Sequence, residues 1–363
     1  GMVSRFCSVL LVCTCFSAYS QSILQMDSVY SRFLETKNAV FIESDYQVGS
    51  NSVQNELMLG LIQAEFIDRE TRQRSLDKIN GSGLGGQNIA VDVAYVTEDS
   101  LFNRTNWRSR FQFAHRSYLG VEFDKELYEM TFFGNKRFED QTVDLAPSAA
   151  EQQKFQKLGL GIHDETTNSW ITLSFVKGQQ LQYIDLERAT VFTATDGRSI
   201  DADIQGTYIL SDSASDNSFS EFNGAGVALD VSITRPLKFI DSTSAKINFQ
   251  IRDLGFVGWN RNTLTAEKDS TYSFEGIVIE NIFDLDNLVL GEDAILDTLG
   301  IGFEQKVKTR LLPFTARIEA YDRINELWSA HVIVQYIHLK GYNPLVGAKG
   351  YYWFSPWTRA GLS

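Results

Sequence analysis

Histidine and serine are the residue types from which a metal or nucleophilic site would be built in this chain. None of the four histidines has the spacing of a zinc site. His331 and His338 are predicted to lie on opposite faces of a strand, and His115 with Ser117 is the one local Ser–His candidate. Residues two apart share a face in any strand, so coincidence explains that pair better than catalysis does. The fourth histidine, His163, stands apart from the other three. We therefore predict neither an enzyme nor a metal site.

Two further stretches resemble ligand sites in composition only. The segment 81–86, GSGLGG, matches G-x-G-x-x-G, but a dinucleotide site needs a strand before it and a helix after it. Here a helical piece precedes the glycines and a strand follows at Asn88, so we predict a loop and no cofactor. The acidic stretch 285–299 fails as a calcium loop because Leu288 stands where an oxygen ligand should fall. We predict a short helix on a solvated loop there, outside any membrane.

The first twenty residues have the pattern of a secretory signal peptide. Arg5 precedes an apolar run over residues 6–16, and Ala18-Tyr19-Ser20 supplies a cleavage site. The run is far shorter than the ~20 residues that a spanning helix needs. We therefore expect an exported mature chain over residues 21–363 that forms one domain. Because all three cysteines lie inside the signal segment, we expect no disulfide and no thiol chemistry in the mature chain.

Composition excludes one class of partner and favours one class of fold. The net charge is −13 and no basic stripe is present, so we predict no nucleic-acid partner. Aromatic residues make up 12% of the chain, which is typical of a sheet protein with aromatic girdles.

Alternation with a period of two residues is the dominant pattern. In the stretch 246–252, Ile247, Phe249 and Ile251 alternate with polar residues, so a strand would carry the two sets on opposite faces. Similar runs occur at 88–96, 105–113, 118–124, 201–210 and 224–234. Helical patterns are few, and the clearest covers 66–79 and ends at an Asn-Gly pair.

Two all-β architectures fit this alternation. A soluble sandwich also has strands with one apolar face. A transmembrane barrel is favoured because the runs reach about ten residues, the length that a tilted strand needs to cross a bilayer. We therefore predict an all-β, antiparallel transmembrane β-barrel of about 12–14 or more strands, with short helical pieces in its loops. The polar faces would line a wet lumen. The lumen-facing candidates are Arg108, Arg110, Glu122, Asp124, Lys246, Gln250 and Arg252.

Several stretches resemble an outer-membrane β-barrel family of unknown function from Bacteroidota-type bacteria, itself loosely similar to fatty-acid-transporter-like barrels. They are YEMTFFGNKRF (128–138), KLGLGI (157–162), GVALDVSITRPLKF (226–239), INFQIRDLGFVGW (247–259) and RLLPFTARIEAYDR (310–323). The most specific residues are Phe133, Gly134, Asn135, Asp253, Gly255 and Trp259. The resemblance implies a barrel fold and an outer-membrane location, with no catalytic residues to carry over.

The alternation of the 246–252 strand breaks at Asp253-Leu254-Gly255. We interpret this as the point where the strand leaves the membrane, with Phe256 and Trp259 at the interface. The last segment, 358–363, is too short and polar for a closing strand, so we expect the barrel to be incomplete at its C-terminus.

Three functions remain open from the sequence. The first is an outer-membrane barrel for passive passage of small or hydrophobic solutes. The second is a structural or accessory component of an envelope secretion or surface assembly. The third is a soluble periplasmic β protein that binds a ligand. For the first two functions, which place the chain in a membrane, the expected partners are outer-membrane lipid, the barrel-assembly machinery, and a small solute or a secretion-system protein.

Overall fold

The structure is a computed structural model. It describes residues 38–53, 67–195, 199–212, 214–216, 218–237, 245–275, 303–355 and 358–362. The predicted signal peptide and the 285–299 stretch lie outside these residues.

Strands dominate the chain, and several of them are long. The sixteen strands in the described residues are β1 (Ala39–Ser50), β2 (Gly83–Leu101), β3 (Arg104–Phe123), β4 (Gln141–Asp144), β5 (Ser148–Asp164), β6 (Ser169–Thr193), β7 (Ser199–Leu210), β8 (Gly224–Pro236), β9 (Lys246–Trp259), β10 (Leu264–Glu275), β11 (Glu304–Gln305), β12 (Lys308–Leu311), β13 (Thr315–Asp322), β14 (Trp328–Ile337), β15 (Leu345–Ser355) and β16 (Thr358–Leu362). The prediction of an all-β chain is confirmed. The polar C-terminal segment forms β16, which pairs with β15.

One curled antiparallel sheet contains these strands. Its main path runs β1-β2-β3-β5-β6-β8-β9-β13-β14-β15-β16. Strand β6 continues beyond this path, and its second half pairs with β4 and β7, while β7 pairs in turn with β10. The predicted antiparallel pairing is confirmed along the whole path.

The two faces of the curled sheet have opposite chemistry. On β9, Phe249 and Ile251 are exposed on the outer face, whereas Asn248 and Gln250 are buried on the inner face. The same division holds on β5, where Leu158 and Leu160 are exposed on the outer face and Lys157 and His163 are buried on the inner face. A soluble sheet buries its apolar face, so this arrangement is inverted relative to a soluble sandwich.

The two ends of the sheet differ in the length of the connections between strands. At one end, neighbouring strands are joined by the turns 102–103, 165–168 and 323–327 and by one longer connection, 237–245, and we call it the short-turn end. At the other end, the connections 51–82 and 124–147 are longer and carry the helices, and we call it the long-loop end.

Two α-helices lie at the long-loop end. The first, α1 (Arg69–Lys78), begins after Asp68, whose carboxylate accepts a hydrogen bond from the Thr71 amide at 2.8 Å. This helix confirms the prediction over 66–79. None of the helices in the described part of the chain is long and apolar enough to cross a membrane.

The second helix, α2 (Lys125–Phe133), was not predicted, although an aspartate before it and a glycine after it bracket the segment. Asp124 caps its first turn by accepting from the Glu126 amide at 2.9 Å. Burial raises the pKa of Asp124 to about 6, and a hydrogen bond with the Glu126 side chain adds to that rise. Asp124 therefore caps a helix beyond the end of β3, which corrects the expectation that it lines a lumen.

A loop folds into the inner side of the sheet at the long-loop end. Residues 338–344, between β14 and β15, place Tyr342 so that its hydroxyl donates to the Leu119 carbonyl at 3.3 Å. Glycines make room for it, since a Cβ on Gly86 would overlap the Tyr342 ring and one on Gly120 would overlap the Lys340 carbonyl oxygen. The GSGLGG motif is thus not a loop throughout, because β2 begins at Gly83. Its last glycine, Gly86, permits the close approach of the Tyr342 ring to the strand.

Candidate functional site

Five buried charged side chains meet inside the curled sheet, and we call them the ionic cluster. They come from β2, β3, β5, β8 and β9 and are Asp92, Arg116, Lys157, Asp230 and Asp253. Inward-facing positions at the middle of five strands thus converge on one point.

Arg116 joins two of the carboxylates. Its Nε lies 2.9 Å from Asp253 Oδ2, and its Nη1 lies 2.9 Å from Asp92 Oδ2. A second guanidinium nitrogen donates to Asp92 Oδ1 at 2.9 Å, so the contact with Asp92 is bidentate. Tyr118 also donates its hydroxyl to Asp253 at 3.2 Å.

Lys157 joins the third carboxylate to the same cluster. Its Nζ lies 2.8 Å and 2.6 Å from the two oxygens of Asp230 and also contacts Asp253. The amide of Gln112 donates to Asp92 at 2.9 Å and to Asp230 at 3.3 Å, and so links the two halves. Buried ion pairs are stable only when the charges are matched and hydrogen-bonded. Two cations serve three carboxylates here, and Arg252 supplies a third cation 3.3 Å from Asp92.

A β-bulge in β9 brings Asp253 into the cluster. The register with β8 shifts between Leu229 and Val231, and Asp253 adopts a φ of 63°. Its backbone N–H donates to Asp230 Oδ1 at 2.6 Å. A left-handed conformation is costly for a non-glycine residue, so this hydrogen bond and the ion pairs hold the bulge in place.

This geometry corrects the interpretation of the break at Asp253. Strand β9 does not end there but continues to Trp259, and Asp253 is fully buried. Trp259 is also fully buried instead of lying at an interface, whereas Phe256 is exposed on the outer face. Gly255 follows the bulge, and a Cβ there would overlap the Val227 carbonyl oxygen.

Trp259 belongs to an inner apolar cluster on the long-loop side of the ionic cluster. Its fully or almost fully buried members are Tyr118, Phe155, Val176, Leu181, Ile209, Ala228, Val257, Trp259, Leu312 and Ile337. Leu339 and Tyr342 of the inward loop pack against it. Apolar side chains therefore fill the inner space beside β3, β5, β6, β8 and β9 at that level, whereas a cavity of about 240 Å³, lined in part by Gln47 and Gln335, lies on the side of β1 and β14.

The ionic cluster extends to β1 through Arg252. This side chain pairs with Glu43 at 2.8 Å and with Asp92 at 3.3 Å. A cavity of about 30 Å³ lies beside it, lined in part by Asp45 and Arg317. A volume of that size holds one or two water molecules.

The other sequence-predicted lumen residues are dispersed over the inner face. Arg108 pairs with Glu165 at 2.8 Å near the short-turn end. Arg110 is buried with its guanidinium 4.3 Å from the centre of the Trp170 ring. Gln250 is buried, Lys246 is half-buried at the start of β9, and Glu122 lies 3.9 Å from Lys340. Of the seven candidates, Arg252 makes an ion pair with the ionic cluster, and Gln250 lines the cavity beside it.

Residues Phe133, Gly134 and Asn135 form a helix end. Gly134 has a φ of 80° and its amide donates to the Met130 carbonyl at 2.9 Å, ending α2. The Arg137 guanidinium carbon lies 3.9 Å from the centre of the Phe133 ring, which is a cation–π contact. Asn135 begins a 3-10 helix over Asn135–Phe138.

The histidines do not assemble into a site. His331 is buried against Glu319 at 2.8 Å, while His338 is exposed on the other face of the chain, as predicted. Within the described ranges, no group of three or more His, Cys, Asp or Glu residues is arranged to hold a metal ion.

The members of the ionic cluster other than Asp253 were missed by the sequence analysis. Arg116 has the same parity on β3 as the predicted Arg110, so the alternation could have identified it as inward-facing. No sequence signal shows that Arg116 meets Asp253, because they are far apart in the chain and the bulge decides the direction of Asp253.

This chain is thus a curled antiparallel β-sheet protein whose apolar face is exposed and whose buried face carries ion pairs. The chain belongs to a family of unknown function (DUF5723), which it matches over residues 40–363. Neither a curated protein nor a solved structure matches it.

Proposed function

We propose that this chain is a membrane-spanning β-barrel of an outer envelope membrane, with a closed interior and a structural or accessory role in a surface or secretion assembly. The observation that carries the membrane location is the outer face, where apolar residues stand in register across neighbouring strands.

One transverse row illustrates this face. Phe113, Leu158, Phe175, Val227 and Phe256 occupy paired positions on β3, β5, β6, β8 and β9. Leu158 is 64% exposed and the last three are 46–50% exposed. Because these side chains are about half exposed, transfer of each from water to lipid contributes on the order of 1 kcal/mol, and the sum over the face favours a bilayer. A soluble monomer rarely exposes a continuous apolar patch of this kind.

The difference between the two ends supports the same proposal. Outer-membrane barrels have short turns on the periplasmic side and longer loops on the outer side. The short-turn and long-loop ends fit that orientation. Closure of the sheet would satisfy the backbone groups of its edge strands in lipid.

The filled interior favours a structural role over passive solute passage. The ionic cluster and the inner apolar cluster occupy successive levels of the inner space beside β3, β5, β6, β8 and β9, and the cavity beside Arg252 has room only for water. A second cavity of about 240 Å³ lies at the long-loop end between β1, β2 and the inward loop, so the ionic cluster is the level that would block passage. Passage of a solute through that space would require these contacts to separate. The buried charges are matched by other side chains, which suits scaffolding and anchoring rather than catalysis.

Electrophoresis and conductance together test the proposal. The full-length chain, refolded in detergent, should migrate faster unboiled than boiled, as a closed barrel does. In planar bilayers it should give no stable conductance steps, and the variant Arg116→Ala/Lys157→Ala, which removes both cluster cations, should conduct more than the parent. Heat-independent migration would refute the barrel. Stable steps from the parent would refute the closed interior and support passive passage instead.

A further inference from the structure

The apolar outer face ends abruptly on β3, β5 and β6. One row beyond Phe113, Leu158 and Phe175, towards the long-loop end, the paired positions are His115, Gln156 and Lys177. On the next row Lys154 pairs with Ser117. Since all these residues face outwards, the chemistry of the surface changes within one step along the strands.

A loop lies against the outer face at this boundary. Phe219, in the connection between β7 and β8, packs on Phe113 and His115 with ring centres 6.5 Å and 5.6 Å apart. Phe222 stacks on Phe175 at 6.3 Å. Both loop rings are more than half exposed, although each rests on the sheet. Exposed aromatic rings at the edge of an apolar face are typical of residues in a membrane interface.

Basic side chains accompany these rings. Lys177 donates from Nζ to the Phe219 carbonyl at 2.8 Å, which holds the ammonium at the boundary. Lys154 lies one row further out on the neighbouring strand, so the two lysines stand about 7–8 Å apart by sheet geometry. We call Lys154 and Lys177 the basic strip.

The charge of the basic strip is opposite to that of the chain as a whole, whose net charge is −13. The outward positions of β3, β5 and β6 around the strip hold His, Ser, Gln and apolar residues. The nearby loop carries Asp212, Asp216 and Glu221, which keep their negative charge while their carboxylates accept hydrogen bonds from neutral groups of the loop itself, such as the Ser218 amide at 2.9 Å and the Ser215 hydroxyl at 3.0 Å. The charged side chains that the strands themselves present at this boundary are thus positive, and the acids lie in the loop.

We propose that the basic strip binds the phosphate groups of anionic lipids in the leaflet at the long-loop end, with Phe219 and Phe222 placed at the level of the headgroups. This rests on the proposed membrane location and names the lipid class that the surface selects. Lysines near an anionic surface attract it, and long side chains extend to the headgroups while their stems cover apolar surface. Two lysines within reach of one phosphate would bind it more tightly than scattered lysines do.

Lipid selectivity can be measured on the full-length protein in vesicles. Spin-labelled phosphatidylglycerol and phosphatidylcholine, each at low fraction in phosphatidylcholine vesicles, report the relative association constant with the protein surface. We expect the parent to prefer phosphatidylglycerol severalfold at low salt, and the preference to shrink at 0.5 M salt because charges at the surface are screened. The variant Lys154→Gln/Lys177→Gln should lose about fivefold of that preference. The matched control is Lys136→Gln/Lys306→Gln, which removes the same charge from loop positions away from the outer face.

Each outcome decides the proposal. A parent without preference at low salt, or equal losses in both double variants, overturns it. In either case heat-modifiable migration would still stand, so the membrane location would survive separately. If the strip variant fails to fold, the salt dependence of the parent and the single variants Lys154→Gln and Lys177→Gln give the answer.

Discussion

Asp253 and Arg116 form a buried ion pair across the interior, with 2.9 Å between Oδ2 and Nε, although 137 residues separate them in the chain. The pair exists because the bulge in β9 turns Asp253 from the outer face to the inner one. A regular strand would have placed this carboxylate on the apolar outer face, where its charge would be costly.

Loss of the Arg116 cation should destabilise the protein strongly. Arg116→Met leaves Asp92 and Asp253 buried without their shared partner, and breaking a buried pair in this way costs about 3–5 kcal/mol. The measurement is urea unfolding of the vesicle-inserted protein. Arg188→Met is the control, since that side chain is 41% exposed in its pairs with Asp203 and Asp269 and should contribute about 0–1 kcal/mol. Equal losses in the two variants would show that the ionic cluster does not stabilise the fold.

A charge on the outer face should be costly where that face is apolar. Phe249→Arg places a guanidinium in the middle of the outward row on β9 and should cost about 2–4 kcal/mol in vesicles if the row lies in lipid. Phe102→Arg makes the same change in a short turn, where Phe102 is 72% exposed, and should leave the unfolding midpoint nearly unchanged. If Phe249→Arg were as stable as its control, the outer face would not be in lipid.

The inward loop should depend on the absence of a side chain at Gly120. Gly120→Ala brings a Cβ onto the Lys340 carbonyl, so the loop or the strand must move, at a cost of about 1–3 kcal/mol. Gly350→Ala introduces the same methyl group into open space and should leave stability unchanged or slightly raised. Unfolding midpoints of the two variants provide the comparison. A neutral Gly120→Ala would mean that the loop does not pack against β3.

The first turn of α1 should weaken at low pH. The Thr71 amide, followed by the Thr71 hydroxyl, lowers the pKa of Asp68 below its usual value of 3.8. A carboxyl with a lowered pKa stabilises the fold above its unfolded-state pKa, and that contribution is lost as the pH falls through the folded-state pKa. Hydrogen exchange of the Thr71 amide, corrected for intrinsic rates, should therefore lose protection below about pH 4. Asp68→Asn keeps the cap without titrating, so its protection should not depend on pH in this range; the same dependence in both proteins would contradict the prediction.

The alternation of side chains predicted the strands and their two faces. Runs such as 246–252 read correctly as strands because the period of two is a local property of an extended chain. The first helix was also predictable from its charge pattern and its Asn-Gly end. The second was missed since a strand-like pattern over 118–124 precedes it directly, and only the cap at Asp124 marks the change.

The contacts between side chains in the interior were less predictable from the sequence than the face on which each side chain lies. Arg110 and Gln250 have the inward parity that alternation gives them, but parity cannot say which side chains meet across the sheet. The glycines of GSGLGG were read as a loop because the sequence does not show that Tyr342 will pack on Gly86.

By itself, the amino-acid sequence determined that the chain forms strands and, outside the bulge of β9, which side chains of a strand share a face, because both follow from local backbone geometry. Only the tertiary structure decided which face is exposed, where Asp253 points and which charges pair. Those outcomes depend on strand register, and the one-residue bulge in β9 reverses the direction of every side chain that follows it. The energy that selects the bulge comes from Arg116, Lys157 and Asp230, which the chain brings to Asp253 only when the sheet has curled.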